Sequence, residues 1–381
     1  MKHPFVWLLV LGAAGYYGWQ KYGTTPPAPG GPGQAIAGQE TAPGKPADGY
    51  ALLTAGKPRE AAQAFEAIIA KLDGKTDPEL PRAIFHLGKS YLAMDNAVAA
   101  TRQFQRLVDN FAKNDHAGSA LVELARLEPD AGKQSELLLR AMDLHPRVPT
   151  VGAVAYDLGM KLLEEGKELE GWKALTTALR GAPAGDRAQA IRTKLEPIVK
   201  RHLFSAAATP LATSYTVKAG DVLVRIARQH GVEVGMIQRA NNMRSTDIYP
   251  NQRLKIVTGT WTIEVVVSRF LLTVYHEGRW VREWPVGTGK PEESPTPIGA
   301  FTITSKLVTP PWKGIPFGAP ENILGTRWMG FEEMPSYGVH GTTQPDTVGK
   351  ALSAGCVRMR NADVEFLYDL VPMRTRGEIR E

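Results

Sequence analysis

A single cysteine in 381 residues excludes an intramolecular disulfide and any cysteine-based zinc cluster. Charge of one sign is also lacking. There are 45 basic and 39 acidic residues, a net of +6. Residues 1–199 hold 23 basic and 22 acidic groups, residues 200–259 hold 9 and 3, and residues 260–381 hold 13 and 14. The excess therefore sits in one 60-residue stretch, which gives little support to a nucleic-acid-binding protein. Apolar residues at 43% and charged residues at 22% exclude bulk disorder, collagen and a polytopic membrane protein. No metal or other cofactor is expected. The length predicts several domains.

The amino end is basic and then apolar. Met1-Lys2-His3 precedes an uncharged run from Pro4 to Trp19, the pattern of an export signal. As a helix this run spans about 24 Å, short of a bilayer core of about 30 Å. Trp19 and Tyr22 extend it at the interface. Two readings stand for residues 1–23: a membrane anchor through residues 4–22, or a signal cleaved near Gly12-Ala13-Ala14. No cysteine follows, which excludes a lipoprotein anchor. Residues 24–48 are rich in Pro, Gly and Ala and read as a linker.

Residues 49–204 have helical periodicity. Phe65, Ile68, Ile69 and Leu72 form one apolar stripe. Phe85-x-Leu87-Gly88-x-x-Tyr91-Leu92 returns as Tyr156-x-Leu158-Gly159-x-x-Leu162-Leu163, 71 residues later. That offset is about twice the 34-residue tetratricopeptide period. Gly56-Lys57 and Gly166-Lys167 mark turns between paired helices. The segment resembles tetratricopeptide-type helical hairpins, which implies either a surface for a protein partner or a helical spacer. His86, His116 and His145 are scattered and suggest no chemistry.

Residues 213–258 carry the basic excess. Tyr215-Thr216-Val217 and Arg253-Leu254-Lys255-Ile256 alternate as short strands. Leu223, Ile226 and Ala227, then Met236, Ile237 and Ala240, form two short amphipathic helices, with turns at Gly220-Asp221 and Gly231. This segment strongly resembles a LysM module, a small α+β unit that binds N-acetylglucosamine-containing glycans. The resemblance implies glycan contacts near Gly220, Asp221 and Asn241. Val222 stands where Thr or Ser is usual, and Asn251 where Gly is usual. Asn tolerates a left-handed turn.

Residues 260–381 begin with short strands: Trp261–Val267, Phe270–Tyr275, Trp280–Val286 and Thr296–Ile303. Such spacing indicates a β-sandwich or barrel. The Pro/Gly-rich span Thr309–Pro335 is long for a loop and reads as a lid. His340-Gly341-Thr342 is followed by Ser353-Ala354-Gly355-Cys356-Val357-Arg358-Met359. The lone cysteine of an exported chain thus sits beside glycines and an arginine, within folding reach of a histidine. A cysteine nucleophile needs a lowered pKa, a base, and amides for an oxyanion. His340 and Arg358 are expected to bring the thiol well below the free value of about 8.5. A buried, inert cysteine is the competing reading of the spacing.

These residues match the signature of YkuD-type L,D-transpeptidases. So do Phe270-Leu271-Leu272-x-Val274-Tyr275, Pro285-Val286-Gly287-Thr288-Gly289 and Thr296-Pro297-x-Gly299-x-Phe301. The resemblance covers about residues 261–372, and implies a mainly-β catalytic domain. Met373–Glu381 matches the family's final strand poorly, and a shortened end is expected there.

The resemblance makes Cys356 the nucleophile and His340 the acid/base, its ring oriented by a carbonyl at Gly341. Ser353 and Gly355 support the site, and Arg358 binds a substrate carboxylate or stabilises the thiolate. Tyr337 and Trp328 line the donor groove, with Arg360 and Asn361 as weaker substrate contacts. The implied reaction joins peptidoglycan stem peptides through a cysteine thioester and releases D-alanine. Hydrolysis of that thioester, an L,D-carboxypeptidase reaction, is one alternative; a non-catalytic wall-binding scaffold is the other. Expected partners are stem peptides, glycan strands and a protein on the helical domain. The expected location is the cell envelope, periplasmic or wall-facing.

Overall fold

The computed structural model describes residues 46–381. The anchor or signal at residues 1–23, and the linker up to residue 45, lie outside the described residues. No helix among the described residues is long and apolar enough to cross a membrane.

Helices occupy the first part: α1 (Pro46–Thr54), α2 (Pro58–Leu72), α3 (Glu79–Leu92), α4 (Ala97–Asn110), α5 (Asp115–Leu127), α6 (Ala131–Leu144), α7 (Pro149–Glu164), α8 (Glu168–Gly181) and α9 (Asp186–Leu203). The first starts at Pro46, inside the segment read as linker. Side chains cap three starts: Asn96 accepts the Ala99 amide, Asn114 the His116 amide and Asp130 the Lys133 amide. The stripe on α2 is buried at Phe65, Ile68 and Ile69.

The repeat has a steric meaning. A Cβ on Gly88 would lie 2.6 Å from the Phe104 ring, and one on Gly159 would lie 2.7 Å from Leu175. Both glycines let one helix of a pair seat a large side chain of the next. Gly56 and Gly166 turn the chain with φ of 73° and 76°.

The LysM segment pairs β1 (Ala212–Thr216) with β2 (Arg253–Val257) around α10 (Leu223–His230) and α11 (Val234–Ala240). Asn251 takes a φ of 69°, the left-handed turn its residue type allows. Val217, Leu223, Ile226, Ile237, Leu254 and Ile256 form a separate small core.

The remaining strands are β3 (Trp261–Val266), β4 (Leu271–His276), β5 (Arg279–Pro285), β6 (Thr288–Gly289), β7 (Gly299–Val308), β8 (Leu324–Phe331), β9 (Gly338–Thr342), β10 (Ala351–Ser353), β11 (Val357–Arg358) and β12 (Arg376–Arg380). Helix α12 (Asn361–Leu370) packs against β8 and β9. Eight strands form one mixed sheet in the order β11-β9-β8-β7-β12-β3-β4-β5. Beyond β5, Gly287 exchanges two backbone bonds with Arg358, both at 2.8 Å, which brings the two ends of the sheet together.

Two expectations are corrected. The chain end is not shortened: β12 lies inside the sheet, parallel to β3 and antiparallel to β7. Its Arg-Gly-Glu-Ile-Arg sequence hides this because Ile379 is its single large apolar residue. Arg380 binds Glu264 at 2.6 Å, and Gly377 leaves room for the Phe301 ring. Nor is Thr309–Pro335 one long loop, because Leu324–Phe331 is β8.

The three parts are packed on one another. The Trp172 indole N–H donates to the Trp280 carbonyl at 2.6 Å, and the Trp280 amide donates to Thr176 Oγ at 2.9 Å. Arg147 bridges Glu264 and Glu378, each at 2.7 Å. On the LysM side, buried Lys306 meets Glu233 at 2.8 Å and donates to the Tyr368 and Val371 carbonyls at 2.7 Å. Arg239 binds Asp369 at 2.7 Å.

Candidate active site

Adjacent strands bring the site together. His340 on β9 lies opposite Trp328 on β8 and beside Arg358 on β11. The three occupy one row across the sheet, so their side chains share a face. The Trp328 ring stacks on His340 with centroids 5.7 Å apart and an interplanar angle of 23°.

His340 is 2% exposed. Its Nδ1 lies 2.5 Å from the Gly341 carbonyl oxygen. A carbonyl can only accept, so Nδ1 carries the proton and Nε2 of the neutral ring is left with a lone pair. Burial lowers its pKa to about 4, and Arg358 pushes in the same direction against the Gly341 contact. The ring is neutral at physiological pH.

Cys356 is half-buried at the end of a tight turn, with its thiol 3.8 Å from the Ser336 carbonyl. Burial raises its pKa; the Gly338 amide and Arg358 pull it down and do not prevail. This corrects the expected lowered thiol. Arg358 does favour the thiolate, but desolvation outweighs it. The resting pair is a neutral thiol and a neutral imidazole.

Ser353 ties the turn. Its Oγ donates to the Cys356 carbonyl at 2.7 Å and accepts the Gly355 amide at 3.1 Å. Gly355 has a φ of 102°, and a Cβ there would lie 2.4 Å from the Tyr337 ring. A side chain is thus excluded twice, by backbone strain and by the ring. Arg358 is buried, and its Nε has no hydrogen-bond partner.

A cavity of about 500 Å³ opens over these groups. Ser336, His340, Ser353, Cys356 and Arg358 line it, with Trp328, Leu307, Pro310, Pro311, Trp312, Lys313 and Leu324 among its walls. No Asp or Glu lines it. Tyr337 reaches Gly355 but is not in the cavity wall. Arg360 and Asn361 are not brought there either. Arg360 is exposed at the start of α12, and Asn361 accepts the Thr326 amide at 3.2 Å while packing on Gly325 and Gly341. The sequence reading missed the Gly338 amide, the Ser336 carbonyl and Lys313. Gly338 lies two residues before His340 on β9, a strand that the sequence reading did not mark.

The LysM segment has its own groove of about 530 Å³, lined by Asp221–Val224, Val234 and Thr246–Tyr249. Gly220 makes the turn beside it with a φ of 81°. Asp221 accepts the Tyr215 hydroxyl and the Lys218 amide, both at 2.8 Å. Asn241 lies outside the groove, where it bonds the Lys255 amide and carbonyl, both at 2.8 Å. Its amide group is occupied in joining α11 to β2. Tyr249, 69% exposed, is an apolar wall that the sequence reading did not single out. Among the described residues, no cluster of three or more His, Cys, Asp or Glu is placed to hold a metal ion.

Comparison with known proteins finds both domains. A model of the LysM domain matches residues 215–257, and a model of the L,D-transpeptidase catalytic domain, YkuD, matches residues 260–379. The chain is 33% identical over 172 residues to "Putative L,D-transpeptidase YkuD" of Bacillus subtilis (strain 168), covering 44% of this chain and 98% of that protein. This chain belongs to the YkuD-type L,D-transpeptidase family. The aligned length exceeds the stretch from residue 260 to the end, so the likeness extends upstream of the catalytic domain. "Putative L,D-transpeptidase YqjB" of the same organism is 41% identical over 99 residues, 24% of this chain and 56% of that protein. The chain thus spans about half the length of that relative. A solved L,D-transpeptidase from Mycobacterium smegmatis is 22% identical, covers 34% of this chain and 64% of that one, and gives a TM-score of 0.28.

Proposed function

We propose that this chain is a peptidoglycan L,D-transpeptidase with Cys356 as nucleophile. The carrying observation is the state of His340. Its Nδ1–H is held by Gly341, and its Nε2 lone pair belongs to a neutral ring in the same cavity as the sole cysteine.

Because the resting pair is neutral, the thiol loses its proton as it attacks. His340 takes that proton while the sulfur bonds to the carbonyl carbon between the third stem residue, meso-diaminopimelate, and D-alanine. The Cys356 amide receives the oxyanion, while the Gly355 amide stays on Ser353 and holds the turn. The C–N bond then breaks, and His340 returns the proton to the leaving D-alanine amine. An amine from a second stem attacks the thioester, passes a proton through His340 to the departing sulfur, and leaves a peptide cross-link. Arg358 supports negative charge on sulfur. The product contributes to cell wall biogenesis and cell shape.

The LysM groove holds glycan, and its module is fixed to the catalytic domain through Lys306 on β7 and Asp369 on α12. The chain works at the wall, and residues 4–22 anchor it.

The test is incubation with disaccharide-tetrapeptide, with products read by mass. A cross-linked dimer lighter than two donors by one D-alanine supports transfer, and Cys356→Ala gives none. Tripeptide without dimer overturns transfer in favour of a carboxypeptidase. Unchanged substrate overturns both reactions and leaves a wall-binding scaffold.

A further inference from the structure

The rim of the active-site cavity carries a lysine in a backbone position that disfavours it. Trp312 and Ile315 exchange backbone bonds of 2.9 and 2.8 Å. Lys313 and Gly314 therefore form a two-residue turn, with φ of 50° and 81°. Two positive values describe a type I′ hairpin turn, whose first position favours Asn, Asp or Gly. A lysine there is strained, and strain at a site points to a use for the side chain.

The hairpin is pinned. Asn322 is buried, and its Nδ2 donates to the Pro310 and Ile315 carbonyls at 3.1 and 3.2 Å. Its Oδ1 accepts the Leu324 amide at 2.9 Å. The Lys313 ammonium lies 5.0 Å from the Trp312 ring centroid, a contact that steadies a cation without neutralising it. Lys313 and Arg358 both line the cavity, and no acid does. Arg358 lies two residues from Cys356 and acts on the sulfur. Lys313 comes from a different element and is left for an anionic group elsewhere on the donor.

We infer that Lys313 selects the acyl donor by pairing with a free carboxylate on the side chain of the stem residue that Cys356 acylates through. This rests on reading the cavity as the acyl-donor site. The preferred class is a stem whose third residue has an acidic side-chain end, as diaminopimelate has and lysine has not. Both stems share the terminal D-alanine carboxylate, so comparing them isolates the side-chain group.

The experiment uses the full chain and two tetrapeptide stems differing in that residue, diaminopimelate or lysine. The readout is the ratio of kcat/KM for D-alanine release. The informative variant is Lys313→Asn, because asparagine suits this turn better than lysine and removes the charge. The wild type is expected to favour the diaminopimelate stem about tenfold, as expected for one charge-assisted contact. Lys313→Asn is expected to bring the ratio near one while its Tm holds or rises; Lys313→Arg is expected to keep the preference. A wild-type ratio near one, or a preference that survives Lys313→Asn, overturns the inference and leaves the transpeptidase reading standing. No D-alanine release from either stem overturns that reading and this inference with it.

Discussion

Trp172 on α8 and Trp280 on β5 are joined by an indole-to-carbonyl hydrogen bond of 2.6 Å. The Trp280 amide is taken in turn by Thr176, one turn further along the same helix. β5 ends the order of the eight-stranded sheet. Its outward backbone groups would otherwise seek another strand. The helical domain therefore takes up the outward backbone groups of Trp280 at this edge of the sheet.

It follows that the helical and catalytic domains unfold together. Thr176→Val keeps the shape but leaves the Trp280 amide buried without an acceptor, at a cost of about 1–3 kcal/mol. Trp172→Ala removes a fully buried indole and costs about 3–5 kcal/mol. Both variants should lower one shared thermal transition. Two separate transitions in calorimetry, with only one displaced, would refute the coupling.

The acylation rate should show an unusual pH profile. His340 is held neutral down to about 4, and burial raises the Cys356 thiol. The acid limb should therefore fall near pH 4, and no thiolate limb should appear below about 8.5. Arg358→Gln removes a cation that favours the thiolate and should move the alkaline limb higher. The apparent constants belong to the coupled pair. Carbapenem adduct formation against pH measures this. A wild-type limb near 6.5 would instead indicate a preformed thiolate–imidazolium pair.

Much of this molecule was legible in its sequence because short patterns carried the information. Gly88 and Gly159 revealed a helical repeat, since only a residue without Cβ admits Phe104 and Leu175 so closely. His340 and Cys356 stand out in the sequence because each sits in a short glycine-containing motif, and adjacent strands β9 and β11 then bring the two motifs together. β12 was not legible, because its charged residues find partners, Arg147 and Glu264, far away in sequence. The raised thiol was hidden for a related reason. Spacing reveals which charges are near Cys356, but desolvation depends on the packed walls above it.

The LysM module offers a stabilising change. Val222 occupies the N-cap position of α10, makes no side-chain cap bond and is 46% exposed. Val222→Thr keeps the branched shape and supplies an oxygen for the open amides. It should add about 1 kcal/mol, read as a higher denaturant midpoint. A lower midpoint would mean that packing of the lost methyl matters more than the cap.

His276 should make the fold acid-sensitive well above the carboxylate range. It is fully buried; its Nε2–H donates to the Thr258 carbonyl at 2.9 Å, and its Nδ1 has no partner. Burial lowers its pKa from 6.5 to about 4. Between those values the unfolded chain binds a proton that the folded chain does not. Stability is thus full above pH 6.5 and falls as the pH drops towards 4. The loss is on the order of 2–3 kcal/mol from this ring. His340 has the same sign and adds to the slope. His276→Gln retains a donor for Thr258 but does not titrate, so it should flatten the slope between pH 6.5 and 4. Urea midpoints measured at pH 7 and pH 4.5 for both proteins decide the matter. An equal drop in the two would show that His276 is not the group that takes up the proton on unfolding.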